Sequence, residues 1–321
     1  MIFYRQACFL YNNRLIARQP YKTQIYHLCF LLTMCLCSGS SSTFAQLPVT
    51  DLYLFQLTHD TSDQWHAHSP KILSDFNIGG YTNQPEFIND DLLYVSVRKP
   101  QMQQNDIFSL NLLNGQIEEI TATEVSEFSP SLTPDGQSFS CVRQVHGGDV
   151  DQQLFIYPLD RSLNGKSAFA EINNIGYHCW LGDDEVGLYL VTDPPRLALA
   201  NTNTGTHKVY ASKIGRCLRK TPGGKLAYVH KYTEDYWYLK TLDPQSADTE
   251  ILTSTLEGCE DFTISSDGMY FMGMGSVLFM LDPNTGKEWR EVTDLSMFGV
   301  QKITRLAINS RLQLAVVSLH E

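Results

Sequence analysis

A guanidinium group presents a planar fork of donors that grips a carboxylate through two parallel hydrogen bonds. Arg216 and Arg305, with His178 as a third group, therefore have the chemistry to hold the carboxylates of a peptide or of a sugar acid. Gln84, Glu260 and Asp261 stand at corresponding places in the chain, each near the start of a repeated apolar segment, and add a polar mixture of both charge signs. Such a mixture has a plainer outcome as well, a water-filled polar lining whose charges compensate one another. These six residues are the candidate ligand-binding set.

Other constellations carry less. His59, His66 and His68 with Asp60 and Asp63 bring three imidazoles and two carboxylates into ten residues, which is zinc chemistry by residue type. They fall on a short segment between two strand signals with no rigid frame, so a solvated hairpin loop is the better reading. His146-Gly147-Gly148-Asp149-Val150-Asp151 offers two carboxylates for calcium but too few ligands for a full loop, and reads as a turn. There is no Gly-x-Ser-x-Gly elbow and no His-Glu-x-x-His. Gly273-Met274-Gly275-Ser276 precedes a strand, not a helix, and is no phosphate loop. No catalytic residue, metal site or cofactor is implied.

The elements that must position the six residues are strands. Phe128 to Val142, FSPSLTPDGQSFSCV, reads as strand, Pro-Asp-Gly turn, strand: Pro134 presets φ and Gly136 supplies the positive φ of a tight reversal. Imperfect copies occupy 83 to 97, 177 to 191, 216 to 229, 260 to 272 and 302 to 317, and most are followed by a second hairpin with a Gly-containing turn, as at Asn114-Gly115. Pro85 and Pro130 are 45 residues apart. Four strands at that spacing predict a β-propeller blade. The innermost strand of each blade lines the axis, so the loops leading into those strands gather the six residues at one mouth of a central channel.

Thr133-Pro134-Asp135-Gly136 after Pro130, and Ser265-Ser266-Asp267-Gly268, resemble the repeat of the six-bladed, Tol-associated (TolB-like) periplasmic propellers. Thr221-Pro222-Gly223-Gly224 departs mildly from that pattern; Asn89-Asp90-Asp91, 182 to 185 and 309 to 311 depart clearly. The resemblance spans about residues 50 to 321 and implies a fold more than a function. Relatives with such blades include accessory proteins of cell-envelope complexes and the propeller domains of certain peptidases.

Residues 1 to 26 carry Arg5, Arg14, Arg18 and Lys22 without an acid, and Ile25 to Cys37 is nearly all apolar. Followed by small residues and Thr43-Phe44-Ala45, this predicts a signal peptide cut after Ala45, residues 1–45, ahead of a single propeller domain, 46–321. The apolar run is too short to anchor stably in a bilayer. Met34 and Leu36 stand where a lipoprotein signal before Cys35 or Cys37 would want a small residue. Residues 51 to 73 read as the second hairpin of a blade whose first hairpin is 303 to 319, so the two termini are expected to close the ring as one of six blades.

The chain has 24 basic and 35 acidic residues, net −11, and loss of the leader leaves 20 against 35, net −15. Such an acidic surface repels phosphate backbones and excludes nucleic acid as a partner. Cys141, Cys179, Cys217 and Cys259 lie beyond the leader, at spacings that fit no zinc or redox motif, and are either disulfide partners or small apolar fillers. Tyr94, Phe139, Tyr189, Tyr228, Tyr270 and Phe279 are expected between blades, whereas Trp180, Tyr236 and Trp237 are candidates for sugar stacking. The expected function is a non-enzymatic periplasmic or secreted protein that binds a protein or peptide of the cell envelope. The alternative is a polysaccharide lyase or hydrolase with its site in the channel.

Overall fold

The computed structural model describes residues 47–61, 64–145 and 151–320; the expected signal peptide, Asp63 of the histidine-rich segment and residues 146–150 of the candidate calcium turn lie outside them. The Asp-Gly signals become hairpin turns. The Thr133 hydroxyl donates to the Asp135 carboxylate (2.6 Å), which also accepts the Gln137 N–H (3.0 Å), and Gly136 takes φ 67°. Ser265, Asp267 and Gly268 (φ 93°) repeat the arrangement.

Each pair of hairpins forms a four-stranded antiparallel sheet, and there are six among the described residues. From the axis outward, the first blade comprises Tyr81–Asn89, Leu92–Arg98, Asp106–Asn111 and Ile117–Glu119. The second comprises Glu127–Leu132, Ser138–Gln144, Gln152–Pro158 and Lys166–Ser167. The third comprises Ile175–Trp180, Glu185–Leu190, Arg196–Asn201 and His207–Ser212. The fourth comprises Ile214–Lys220, Leu226–Lys231, Trp237–Leu242 and Thr249–Ser254. The fifth comprises Phe262–Ile264, Tyr270–Met274, Val277–Leu281 and Arg290–Asp294. The sixth joins the termini: Lys302–Ile308 and Gln313–Leu319 continue outward into Thr50–His59 and Trp65–Ile72. Thr50–His59 pairs with Gln313–Leu319 over seven consecutive residue pairs, from Thr50 with Leu319 to Gln56 with Gln313. Each inner strand touches the inner strands of its two neighbours, so the ring is closed.

Both faces of a blade are buried, which is why most strands read as apolar runs and not as alternation. Six apolar clusters result, one at each interface between blades. Tyr94, Phe139, Tyr228 and Tyr270 lie in them as expected. Phe279 does not: Leu278 and Met280 face the sixth blade, while Phe279 points the other way beside a bulge and stays half-exposed. All four described cysteines are free thiols, Cys141 and its blade neighbours acting as small fillers.

Candidate functional site

The inner strands do not run straight. Five of them carry a register shift near their start: between Asn83 and Glu86, Phe128 and Ser131, Ile175 and Tyr177, Ile214 and Leu218, and Ile303 and Arg305. In the first two blades the bulge is an X-Pro pair whose first residue, Gln84 or Ser129, takes φ 54° or 52°. Proline has no N–H to lose from the ladder, so the bulge is tolerated there. Its effect is to turn side chains toward the axis. Gln84 Oε1 accepts the Ser129 N–H (2.9 Å) and the Ser96 hydroxyl (2.8 Å), tying the first inner strand to the second.

Gln84, Tyr177, His178, Arg216, Asp261 and Arg305 all line an axial cavity of about 70 Å³. Above it the mouth widens into a funnel of about 850 Å³, with Glu260, Lys213, Lys231 and Glu234 among apolar walls supplied by Phe128, Tyr189, Val191, Pro194, Pro195 and Trp237. Gln84, Tyr177 and Arg216 border both spaces.

The two arginines do not stand free. Asp261 accepts Arg216 Nη2 at 2.6 Å and Arg305 Nη1 at 2.9 Å, and Arg305 Nη2 donates to the Tyr177 hydroxyl at 2.9 Å. Glu260 takes Lys231 Nζ at 2.7 Å and Arg216 Nη1 at 3.5 Å. Deeper, Arg219 holds Glu86 at 3.0 Å. Burial opposes the charge on Arg216 and Arg305, but the Asp261 carboxylate, together with Tyr177 and for Arg305 also Tyr81 and Cys217, outweighs it and both pKa values rise above the ordinary arginine value. Burial likewise pushes the nearby Tyr81 phenol up. Four cations against three carboxylates leave one positive charge in this network, inside a chain of net −11. Of the two arginines on Asp261, Arg216 is the more exposed, with 34% of its side chain accessible against 14% for Arg305.

His178 is turned into the wall. Its Nε2 lies 2.7 Å from the Ser140 hydroxyl, which also accepts the Trp180 indole N–H (2.8 Å). Burial depresses its pKa to about 3, so the imidazole is neutral. Trp180 is buried in the same interface, and Lys231 sits 4.2 Å from the Trp237 ring centroid in the funnel. Tyr236 is exposed at the rim.

No protein-family model and no curated protein matches the sequence. Solved structures match in shape. A provisionally assigned TolB of Agrobacterium tumefaciens superposes with a TM-score of 0.63 at 10% identity, over 86% of this chain and 99% of that one. TolB of Acinetobacter baumannii gives 0.55 at 15% identity, over 83% of this chain and 63% of that chain, so this chain spans less than two thirds of its length. The fold is that of a TolB-like six-bladed propeller. A provisionally assigned gluconolactonase shares it, with a TM-score of 0.58 at 11% identity over 83% of this chain and 98% of its own. TolB-like architecture thus fixes where a site can form, not what it does.

Within this TolB-like ring, five of the six sequence-derived residues reach the axial cavity and Glu260 lies in the funnel. Sequence reading missed Tyr177, Glu86 and Arg219, although each lies on an inner strand within three residues of a chosen one and the same row of the repeat could have found them. It also missed Lys231, which comes from a second strand and carries no signal of facing the axis, and although it named Trp237 as a stacking candidate it had no signal that this third-strand residue would face the funnel. His59 packs its ring against Trp65 at 5.0 Å, and His66 lies 3.7 Å from Asp60.

Proposed function

We propose that this chain is an exported cell-envelope protein that binds a protein or peptide partner by seating a carboxylate-bearing segment in the funnel. The supporting observation is the funnel itself: apolar and aromatic walls converge on Arg216 and Lys231, over a network with one excess positive charge. A concave, largely apolar site with a few convergent polar groups is the usual form of a ligand site. Arg216 and Lys231 can each turn part of their donor set to an incoming carboxylate, while Arg305 and His178 shape the floor from behind. Gln84 holds the rim between the first two blades. The groups at the cavity itself favour binding over acid–base chemistry: Asp261 and Glu260 are each held by two cations, and burial lowers the His178 pKa to about 3, which leaves its neutral imidazole a weak base.

Capture from an envelope extract tests the reading. The purified protein should retain a partner that is lost with Val191→Asp, a funnel-wall change at an exposed position, and retained with Lys225→Glu at a turn on the opposite face. Loss with Lys225→Glu and retention with Val191→Asp would move the site to the other face. Export is tested by N-terminal sequencing, with the mature chain beginning at or near Gln46; a membrane-bound protein retaining residues 1–30 would overturn it.

A further inference from the structure

The interface between the first and second blades is built unlike the other five. Its apolar cluster has five buried residues, Ile88, Tyr94, Ile107, Phe139 and Cys141, where each of the others has at least seven. The end nearest the funnel is filled by polar side chains instead. Asn105, Asp106 and Glu127 are each 0% exposed. Asp106 opens the third strand of the first blade and Glu127 opens the inner strand of the second. Thr123 holds both: its N–H donates to Asp106 Oδ1 (3.3 Å) and its hydroxyl to Glu127 Oε1 (2.6 Å). Asn105 is fixed against the same segment, its N–H donating to the Ser126 hydroxyl (3.2 Å) and its carbonyl accepting the Glu127 N–H (2.9 Å).

The compensation stops halfway. Arg143 Nε reaches Glu127 Oε1 at 3.4 Å and Tyr157 donates to the same oxygen at 3.4 Å, whereas Asp106 has weaker help, from the Thr121 side chain and from the charge of Lys99, which lies over the Phe108 ring 4.8 Å from its centroid, and burial outweighs both. Asp106 Oδ2, Glu127 Oε2 and both side-chain atoms of Asn105 are buried with no hydrogen-bond partner. A buried carboxylate oxygen without a donor is costly, and native interiors rarely leave several together. Three of these four unpartnered atoms are oxygens, on two acids and an amide.

We propose that Asp106, Glu127 and the Asn105 side-chain carbonyl form a site for a hard cation, calcium, that pins the first blade to the second. Calcium takes oxygen ligands at about 2.3–2.6 Å in irregular geometries and accepts water or backbone carbonyls for the remainder, whereas magnesium demands a near-ideal octahedron and zinc favours nitrogen and sulfur. The described residues contain no cluster of three or more His, Cys, Asp or Glu side chains suited to a metal. This set draws its third oxygen from an amide. The ion neutralises the excess negative charge that Arg143 leaves, and it supplies at the funnel end of this interface the cohesion that apolar packing supplies elsewhere.

The test uses purified protein stripped with a chelator, then given calcium chloride alone. Equilibrium dialysis with elemental analysis should find about one calcium per chain, and thermal unfolding should shift upward by several degrees at saturation. Glu127→Gln and Asp106→Asn should each abolish both effects while unfolding remains cooperative. Asn105→Ala, which removes no charge, should weaken retention and serves where either of those variants fails to fold. Four results would overturn the proposal: no retained calcium, retention unchanged in the variants, an equal response to magnesium or sodium at matched ionic strength, or a Glu127→Gln protein more stable than the calcium-loaded parent.

Discussion

His178 offers the sharpest check on the buried electrostatics. Its imidazole is held neutral inside the wall, with a pKa pushed down to about 3 by burial, against 6.5 for an ordinary histidine. As pH falls below 6.5 the unfolded chain takes up a proton at this residue and the folded chain does not, so stability falls with pH. Between pH 7.5 and 5.5 this amounts to about 1.4 kcal/mol, roughly one proton's linkage per pH unit below the unfolded value. His178→Gln keeps a hydrogen-bonding group beside Ser140 and removes the titration. Urea unfolding of both proteins at the two pH values should show the parent losing about 1.4 kcal/mol more than the variant. His230, also shifted down by burial and by Lys240 and Lys213, is common to both and cancels. Equal losses, or a His178 resonance that titrates near neutrality, would refute the reasoning.

Arg305→Gln should destabilise by about 3 kcal/mol in urea unfolding, because Asp261 loses one of its two cations in a buried setting, and adding Asp261→Asn should recover part of the loss. Gly273→Ala should cost about 1–3 kcal/mol by thermal unfolding, since the new Cβ would stand 2.5 Å from Ile303 Cβ across the fifth and sixth blades. A chain ending at Phe298 should aggregate, because Thr50–His59 loses its partner along a hydrophobic edge; a monomeric product with an unchanged thermal transition would contradict that.

Much of the fold was legible because turn chemistry is local. Asp135-Gly136 and Asp267-Gly268 mark their hairpins whatever lies around them, and the unpaired hairpins at 51–73 and 303–319 could be completed only by each other. The convergence of Gln84, His178, Arg216, Asp261 and Arg305 followed from their place in the repeat. Their state did not. Whether Arg216 and Arg305 face a ligand or share Asp261 depends on reach across blades some 44 residues apart in sequence, which no local pattern encodes. Asp106 and Glu127 went unremarked for a related reason: acids beside strand ends look like solvated loop residues until the neighbouring blade covers them. Phe279 was misassigned because an aromatic in an apolar strand gives no hint of which face the bulge will leave uncovered.

Sharing the sixth blade between the two ends of the chain has a consequence for the order in which the protein can be made. Thr50–His59 leaves the ribosome before the other described strands, yet its inward neighbour, Gln313–Leu319, is synthesised after all of them. Five blades can assemble from contacts within about 45 residues while that early hairpin waits, one edge open, for Gln313–Leu319. Contacts of such separation form slowly. A nascent chain that has not yet reached Gln313–Leu319 therefore carries an exposed strand that a chaperone, or a second unfinished copy, can occupy, and the arrival of that strand acts as the latch on the whole ring.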